Sequence, residues 1–243
     1  MLKRFSFSGR DSYLNPDKLA LIDYVYQLGA RSFADLGALW GVHGGYAFYA
    51  ASREGARRVV VVDTHPTDSF MENKKQFGST IEFIRGSFGD RAVEAKVGAV
   101  DAIFLFDVLL HQVKPDWHEI LDLYAPSCRH FVIYNQQFTA SEKTVRLLDF
   151  GEEEYFRNVP HSPAEEPYVS LFEKLEQKHP DYETRIWKDV HHIWQWGITD
   201  RDLIAKCNLL GFRTMLYKNC GRFGSLQNFE NHAFVFSAAR VHR

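Results

Sequence analysis

Four consecutive valines, Val59-Val60-Val61-Val62, run into an aspartate, Asp63. A strand with one wet face alternates apolar and polar residues. A strand that is apolar at every position has to be covered on both faces, which is the condition of a parallel sheet between layers of helix. Further short apolar runs lie at 32–36, 81–85, 101–106 and 130–134, and the segments between the runs, 43–53, 68–77, 91–97 and 115–124, suit crossover helices. This alternation predicts an α/β domain built by right-handed crossovers.

The flanks carry other patterns. Leu19, Ile22, Val25 and Tyr26 recur at helical spacing over 15–28, and Gly29 follows as a stop. Beyond residue 134 the rhythm breaks. Thr139-Ala140-Ser141-Glu142 has the form of a capping box and predicts a helix over 139–150. A polar, proline-containing stretch, 151–167, leads to an expected helix over 168–179 and then to a strand-like segment, 181–197, rich in aromatics and histidine. A helix starts at Thr199-Asp200-Arg201-Asp202 and stops at Gly211, and strands at 212–218 and 232–238 are expected to pair as an antiparallel hairpin. The expectation is one domain over residues 1–243, with a helical extension at 1–30 and an insertion at about 151–197 that covers a substrate.

Charge and composition narrow the partners. A net charge of −2 gives no basic surplus for a phosphate backbone. No run of 18 apolar residues is present to span a membrane, and the segment 1–10 lacks the apolar stretch of a signal peptide. Three cysteines, Cys128, Cys207 and Cys220, form no CxxC pair, which disfavours a disulfide framework or a thiolate zinc site. A small-molecule substrate and a reducing cytoplasm are the expectations, with a homodimer left open. His191-His192 would point to opposite faces of a strand and so would not converge on one ion.

The chemistry is concentrated in Asp35-Leu36-Gly37-Ala38-Leu39-Trp40-Gly41, directly after the run at 32–36, with Gly44 and Gly45 at the start of the next helix. A glycine-rich turn between strand and helix lets a ligand approach the backbone, and the helix N-terminus offers free N–H groups. Asp63 stands 22 residues beyond Gly41, at the tip of the second strand of the alternation, where a carboxylate can accept from a ribose diol. A turn of this kind with a later acid reads as an adenosine site. Leu39 breaks the GxGxxG spacing of a dinucleotide fingerprint, and none of the 11 tyrosines has a lysine four residues on, as a short-chain dehydrogenase would.

Asp35-x-Gly37-x-x-x-Gly41 resembles the first motif of class I S-adenosylmethionine (SAM)-dependent methyltransferases, with Leu39 where that family usually has a further glycine. The resemblance continues in order. Val59 to Asp63 looks like the family's second strand with its ribose acid. Arg85-Gly86-Ser87-Phe88 resembles its adenine-contacting turn, and the run ending in Phe106-Asp107 its fourth strand. Leu210-Gly211-Phe212 looks like its turn into the sixth strand. The resemblance implies a seven-stranded, mostly parallel sheet with helices on both faces and an antiparallel last hairpin. It implies SAM as cofactor, held by Asp35, Gly37, Ala38, Leu39, Gly41, Asp63, Thr64, Ser87, Phe88 and Asp107, and methyl transfer to an O or N atom of a small molecule.

His111, five residues past Phe106, is the candidate base, because a neutral imidazole can take a proton near neutral pH. Asp107 matches one position of the metal-dependent catechol enzymes, but Asn135-Gln136-Gln137 supplies no second carboxylate, so no metal is expected. Two other readings stay open: a nucleotide-dependent oxidoreductase, and a catalytically silent SAM-fold binding protein.

Overall fold

The structure is a computed structural model that describes residues 4–7, 10–182 and 184–239, with side chains from residue 14 onward. Strands β1 (Arg4–Phe7) and β2 (Arg10–Tyr13) pair antiparallel ahead of α1 (Pro16–Gln27). The extension is therefore a β-hairpin plus a helix rather than helix alone. Then follow β3 (Ser32–Leu36), α2 (Gly45–Ala51), β4 (Arg58–Asp63), α3 (Asp68–Lys74), β5 (Ile81–Arg85), α4 (Arg91–Val97), β6 (Val100–Phe106), α5 (Trp117–Tyr124) and β7 (Cys128–Phe138). The later part holds β8 (Val145–Arg146), α6 (Glu152–Arg157), α7 (Leu171–Lys174), β9 (Trp196–Gly197), α8 (Asp200–Leu209), β10 (Phe212–Arg222) and β11 (Phe229–Ala238).

The main sheet has seven strands in the order β10-β11-β7-β6-β3-β4-β5. The pairs β3–β4, β4–β5, β3–β6 and β6–β7 are parallel, and β11 runs antiparallel to both its neighbours. The expected architecture is thus present. The four valines explain it locally. Val59 and Val61 pack with Phe33, Phe48 and Phe104 on one face, and Val60 and Val62 with Leu36, Ile103 and Leu121 on the other. All four are fully buried, each gaining about 1.5–3 kcal/mol on transfer from water.

The strand order reverses between β3 and β6, since the chain builds outward through β4 and β5 before returning to the other side of β3. In open α/β sheets that reversal opens a crevice at the carboxyl ends of the strands. Backbone bonds align those ends: Gly37 N–H donates to Val62 O at 2.9 Å, Gly86 N–H to Asp63 O at 3.0 Å, and Asp107 N–H to Tyr134 O at 2.8 Å.

Three sequence expectations fail between residues 139 and 197. The capping-box pattern does not start a helix. Thr139 N–H donates to Asn228 O, Thr144 N–H is taken by Asp202 Oδ2 at 2.6 Å, and β8 pairs antiparallel with β9. Tertiary partners claim the N–H groups that a helix start would have used. The helix expected over 168–179 shrinks to α7, because Trp187 and Arg185 turn back to bond Gln177 and His179 across a loop. Among the described residues, the segment expected as strand over 181–197 has strand only as a bridge at Ile186 and the two residues of β9, with a 3-10 turn at Trp187–Asp189 between them. Val190, Ile193 and Trp194 of this segment join Tyr155 and Tyr168 in a core packed on Phe138 and Phe229.

Candidate functional site

The turn after β3 is held from β4. Asp63 accepts the Leu39 N–H on Oδ2 at 3.0 Å. Among the described residues its Oδ1 has only the Thr64 hydroxyl and the His65 N–H, both at 3.5 Å, which leaves it open to a further donor. Leu39 buries its side chain in the core at 3% exposure, beside Phe70 and Tyr46, and Ala38 is buried there too. Leu39 is not among the residues of positive φ, so its backbone does not require glycine. Gly41 does (φ +69), and a Cβ built on it meets nothing within 4 Å. Gly37 (φ +73) is different: a Cβ there would lie 2.9 Å from Val108 Cγ1 and 3.3 Å from Phe88 Cε1. Side chains of the loops after β5 and β6 thus already crowd the space at Gly37.

Asp35, on β3, is 2% exposed, and its Oδ2 has no hydrogen-bond partner among the described residues. Burial pushes its carboxyl up to about 7, against the opposing charge of Lys18; nearby Asp63 adds to the rise, and the Ala47 N–H counters it. Ser87 accepts the Gly89 N–H on its hydroxyl at 3.2 Å, and its carbonyl takes the Asp90 N–H ahead of α4. Phe88 is fixed by the Tyr124 hydroxyl donating to its carbonyl at 2.9 Å, which sets its ring beside Gly37. Thr64 is exposed, and its carbonyl takes the Arg85 Nε–H.

Asp107 directly follows β6 with φ +58, a conformation a non-glycine residue rarely holds. Its Oδ1 accepts from Gln136 Nε2 at 2.8 Å, and its Oδ2 pairs with the ammonium of Lys18. Sequence reading missed Lys18 and its surroundings. Its Nζ lies 4.8 Å from the ring centre of Tyr134, 5.3 Å from Tyr46 and 5.7 Å from Phe106. A signal was present: Lys18, Ile22 and Val25 share one helical face at i, i+4, i+7, and all three are buried.

His111 stands in the loop after β6, as expected. Its Nδ1–H donates to Ile193 O at 2.9 Å, and its ring meets Trp194 edge-on. Burial holds its pKa below the ordinary histidine value, with the Ile193 carbonyl and Asp107 opposing. The insertion reaches this loop: Gln195 N–H donates to Leu110 O, and Trp196 Nε1–H to Gln112 O at 2.7 Å. His191 and His192 diverge, the first toward the His111 carbonyl, the second beside His179 and Tyr182. They do so from an irregular loop rather than a strand.

Asn135, Gln136 and Gln137 belong to β7 itself rather than to a loop after it. Gln136 faces Asp107, so its neighbour Gln137 faces away. A cavity of about 540 Å³ opens on that far side, lined by Gln137, Thr199, Asp200 and His232 among others. His232 Nδ1 pairs with Asp200 there at 2.7 Å. Among the described residues, no group of three or more His, Cys, Asp or Glu could hold a metal ion.

No family model matches the chain, and no curated protein matches it in sequence. Solved structures match it in fold. The N-terminal domain of EvdMO1, crystallised in the presence of S-adenosylhomocysteine (SAH) and D-fucose, is 16% identical with a TM-score of 0.60, covering 98% of this chain and 91% of that one. The 1,6-didemethyltoxoflavin-N1-methyltransferase of Burkholderia thailandensis, bound to 1,6-didemethyltoxoflavin and SAH, is 14% identical with a TM-score of 0.57 over 93% of this chain and 78% of that one. Magnesium protoporphyrin IX methyltransferase from Synechocystis PCC 6803, with bound SAH, is 10% identical with a TM-score of 0.52 over 92% and 83%. At these identities the likeness is one of fold, and the fold this chain shares is that of SAM-dependent methyltransferases.

Proposed function

We propose that the chain binds SAM in the crevice at the ends of β3, β4 and β6 and transfers its methyl group to an O or N atom of a small molecule. The observation that carries this reading is Asp63, which anchors the turn after β3 with one carboxylate oxygen and leaves the other for a ribose hydroxyl. The residues present fit the cofactor: Gly41 borders open space, the Phe88 ring stands beside the turn, and Asp35 offers a buried carboxylate oxygen without a partner.

Asp63 would hold the ribose, the amides of the turn at Gly37 to Gly41 the amino-acid portion, and Ser87 and Phe88 the adenine side. The cofactor, when bound, supplies a methyl group already activated by its sulfonium, so the protein's task is alignment and removal of one proton from the acceptor. His111 suits that proton. The Ile193 carbonyl can only accept, so Nδ1 carries the hydrogen and the lone pair lies on Nε2.

A small-molecule acceptor is supported by the 1,6-didemethyltoxoflavin bound in one structural relative and by the absence of a basic surplus in the sequence. Three free cysteines and the lack, among the described residues, of any helix long and apolar enough to cross a membrane fit a reducing cytoplasm. Calorimetry with SAM, SAH and NAD tests the reading. Binding of SAM and SAH without NAD is the expected result, and NAD binding without SAM would replace it with the oxidoreductase.

A further inference from the structure

An ammonium group on a helix face turned to the core needs compensation, and Lys18 is 7% exposed. Its compensation is more than a single ion pair. The rings of Tyr134, Tyr46 and Phe106 stand around Nζ at 4.8, 5.3 and 5.7 Å, Asp107 closes the cage, and Asp35 lies close enough for its carboxyl to feel the Lys18 charge. Ring faces attract any desolvated cation, whether or not it has hydrogen to donate.

The walls are held without Lys18. Asn15 donates its backbone N–H to the Tyr46 hydroxyl at 3.0 Å and its side-chain amide to the Tyr134 hydroxyl at 3.2 Å. Gln136 fixes the other oxygen of Asp107. The cage is therefore preorganised and would keep its shape if the ammonium left. It also stands in the crevice proper: Phe106 ends β6 and Asp107 directly follows it, Asp35 is on the adjacent β3, and Tyr46 opens the helix that follows the glycine turn.

We propose that this cage receives the sulfonium of SAM and that Lys18 is its internal competitor, so that Lys18 sets the preference between the cationic cofactor and its neutral product. The inference rests on the cofactor reading above. SAM and SAH share the nucleoside, the amino group and the carboxylate and differ in the charged methyl-sulfonium alone. A cation already in the cage repels the first and is indifferent to the second. Either ligand's sulfur displaces the Lys18 side chain, which its flexible stem permits, but SAM alone brings a charge that the ammonium opposes.

The test is calorimetric titration of SAM and SAH into the wild-type chain and into Lys18→Met, Lys18→Gln and Lys18→Arg, each checked for folding by its melting temperature. Removing the charge should shift the ratio of the two dissociation constants toward SAM by about tenfold, a conservative value for two like charges a few ångströms apart. Lys18→Arg, which keeps the charge, should leave the ratio near that of the wild type. If either neutral variant folds and both ligands change alike, or neither changes, Lys18 is no competitor and the cage is not the sulfonium site. If the wild type binds neither ligand, the cofactor reading itself falls, which is a distinct result.

Discussion

Leu39 and Asp63 are joined by a hydrogen bond of 3.0 Å from the backbone of the first to the carboxylate of the second. The acid at the tip of β4 is thereby a structural part of the turn after β3 as well as a candidate ligand for ribose. The same bond accounts for a leucine in a glycine-rich turn. Position 39 keeps an ordinary φ, directs its N–H at Asp63 and sends its side chain into the core. The departure from the methyltransferase motif at this position leaves the backbone of the turn intact.

Asp63→Ala should weaken SAM binding by about ten- to a hundredfold, the loss expected when hydrogen bonds to a charged group, worth about 1.5–3 kcal/mol, are removed. Asp63→Asn keeps an acceptor for Leu39 and should retain the wild-type melting temperature more nearly than Asp63→Ala. Unchanged SAM affinity in a folded Asp63→Ala chain would remove the acid from the site.

At Gly37 the steric and conformational arguments coincide. A methyl group there meets Val108 and Phe88 and asks an L-residue to hold φ +73. The backbone alone costs about 1–2 kcal/mol, or a fall of about 2–8 °C in melting temperature for a chain of this size. Gly37→Ala should lower both stability and SAM affinity. In a double-mutant cycle, Val108→Ala should recover the steric part and not the backbone part. A Gly37→Ala chain as stable as the wild type would show that the turn adjusts freely.

How much of this was legible depended on the range of the interactions involved. The sheet was readable because Val59 to Val62 need cover on both faces wherever they stand, and because Gly29 and Gly211 stop helices locally. The segment from 139 to 197 was not. Its capping-box pattern was overruled by Asn228 and Asp202, partners 89 and 58 residues away. The cofactor side of the site was readable as a motif. Lys18, Tyr46 and Tyr134 were not, because their meeting depends on how α1 lies across the sheet, although a lysine on the face of Ile22 and Val25 was a visible anomaly.

Asp35 gives a pH signature. Its folded-state pKa, about 7, is raised above the ordinary carboxylate value mainly by burial. The folded chain therefore holds a proton that the unfolded chain has released, and stability falls as pH rises from about 4 through 7. Asp35→Asn removes this dependence. Between pH 5 and 8 the wild type should lose about 2–3 kcal/mol more than the variant in urea denaturation, at 1.36 kcal/mol per pH unit over which the proton is shed. Parallel curves for the two proteins would mean that Asp35 is ionised throughout.

Asp189 ties the insertion to the rest of the domain. Its side chain is 2% exposed and is paired with Lys114, from the loop after β6, and with Arg146 on β8. Burial pushes its carboxyl up, and the hydrogen bonds from Lys114 and Arg146 more than offset it, leaving the pKa below the usual carboxylate value. Breaking a buried pair costs about 3–5 kcal/mol. Asp189→Ala should destabilise by about the lower figure, because Lys114 is largely exposed, and should make the insertion the first segment cut in limited proteolysis. Wild-type resistance there would show that its aromatic core alone holds it.

The base is the most exacting assignment. His111 lies where the loop after β6 meets the insertion, and the Ile193 carbonyl fixes its tautomer at Nδ1. Burial lowers its pKa, so the ring is neutral at pH 7 and Nε2 can accept a proton. The sign follows: turnover should fall on acidification as the ring charges, with the midpoint below the ordinary histidine value of about 6.5, and should be level above neutrality. His111→Ala should slow turnover by at least about a hundredfold, within the range for loss of a general base. SAM affinity should change little, since His111 itself is assigned no contact with the cofactor. Structural damage would act differently, lowering SAM affinity and stability together and leaving the acid limb of the residual activity in place. The measurement needs an acceptor found by screening small hydroxyl- and amine-bearing molecules for SAH release. Full activity in His111→Ala, or an unmoved acid limb, would remove His111 from proton transfer.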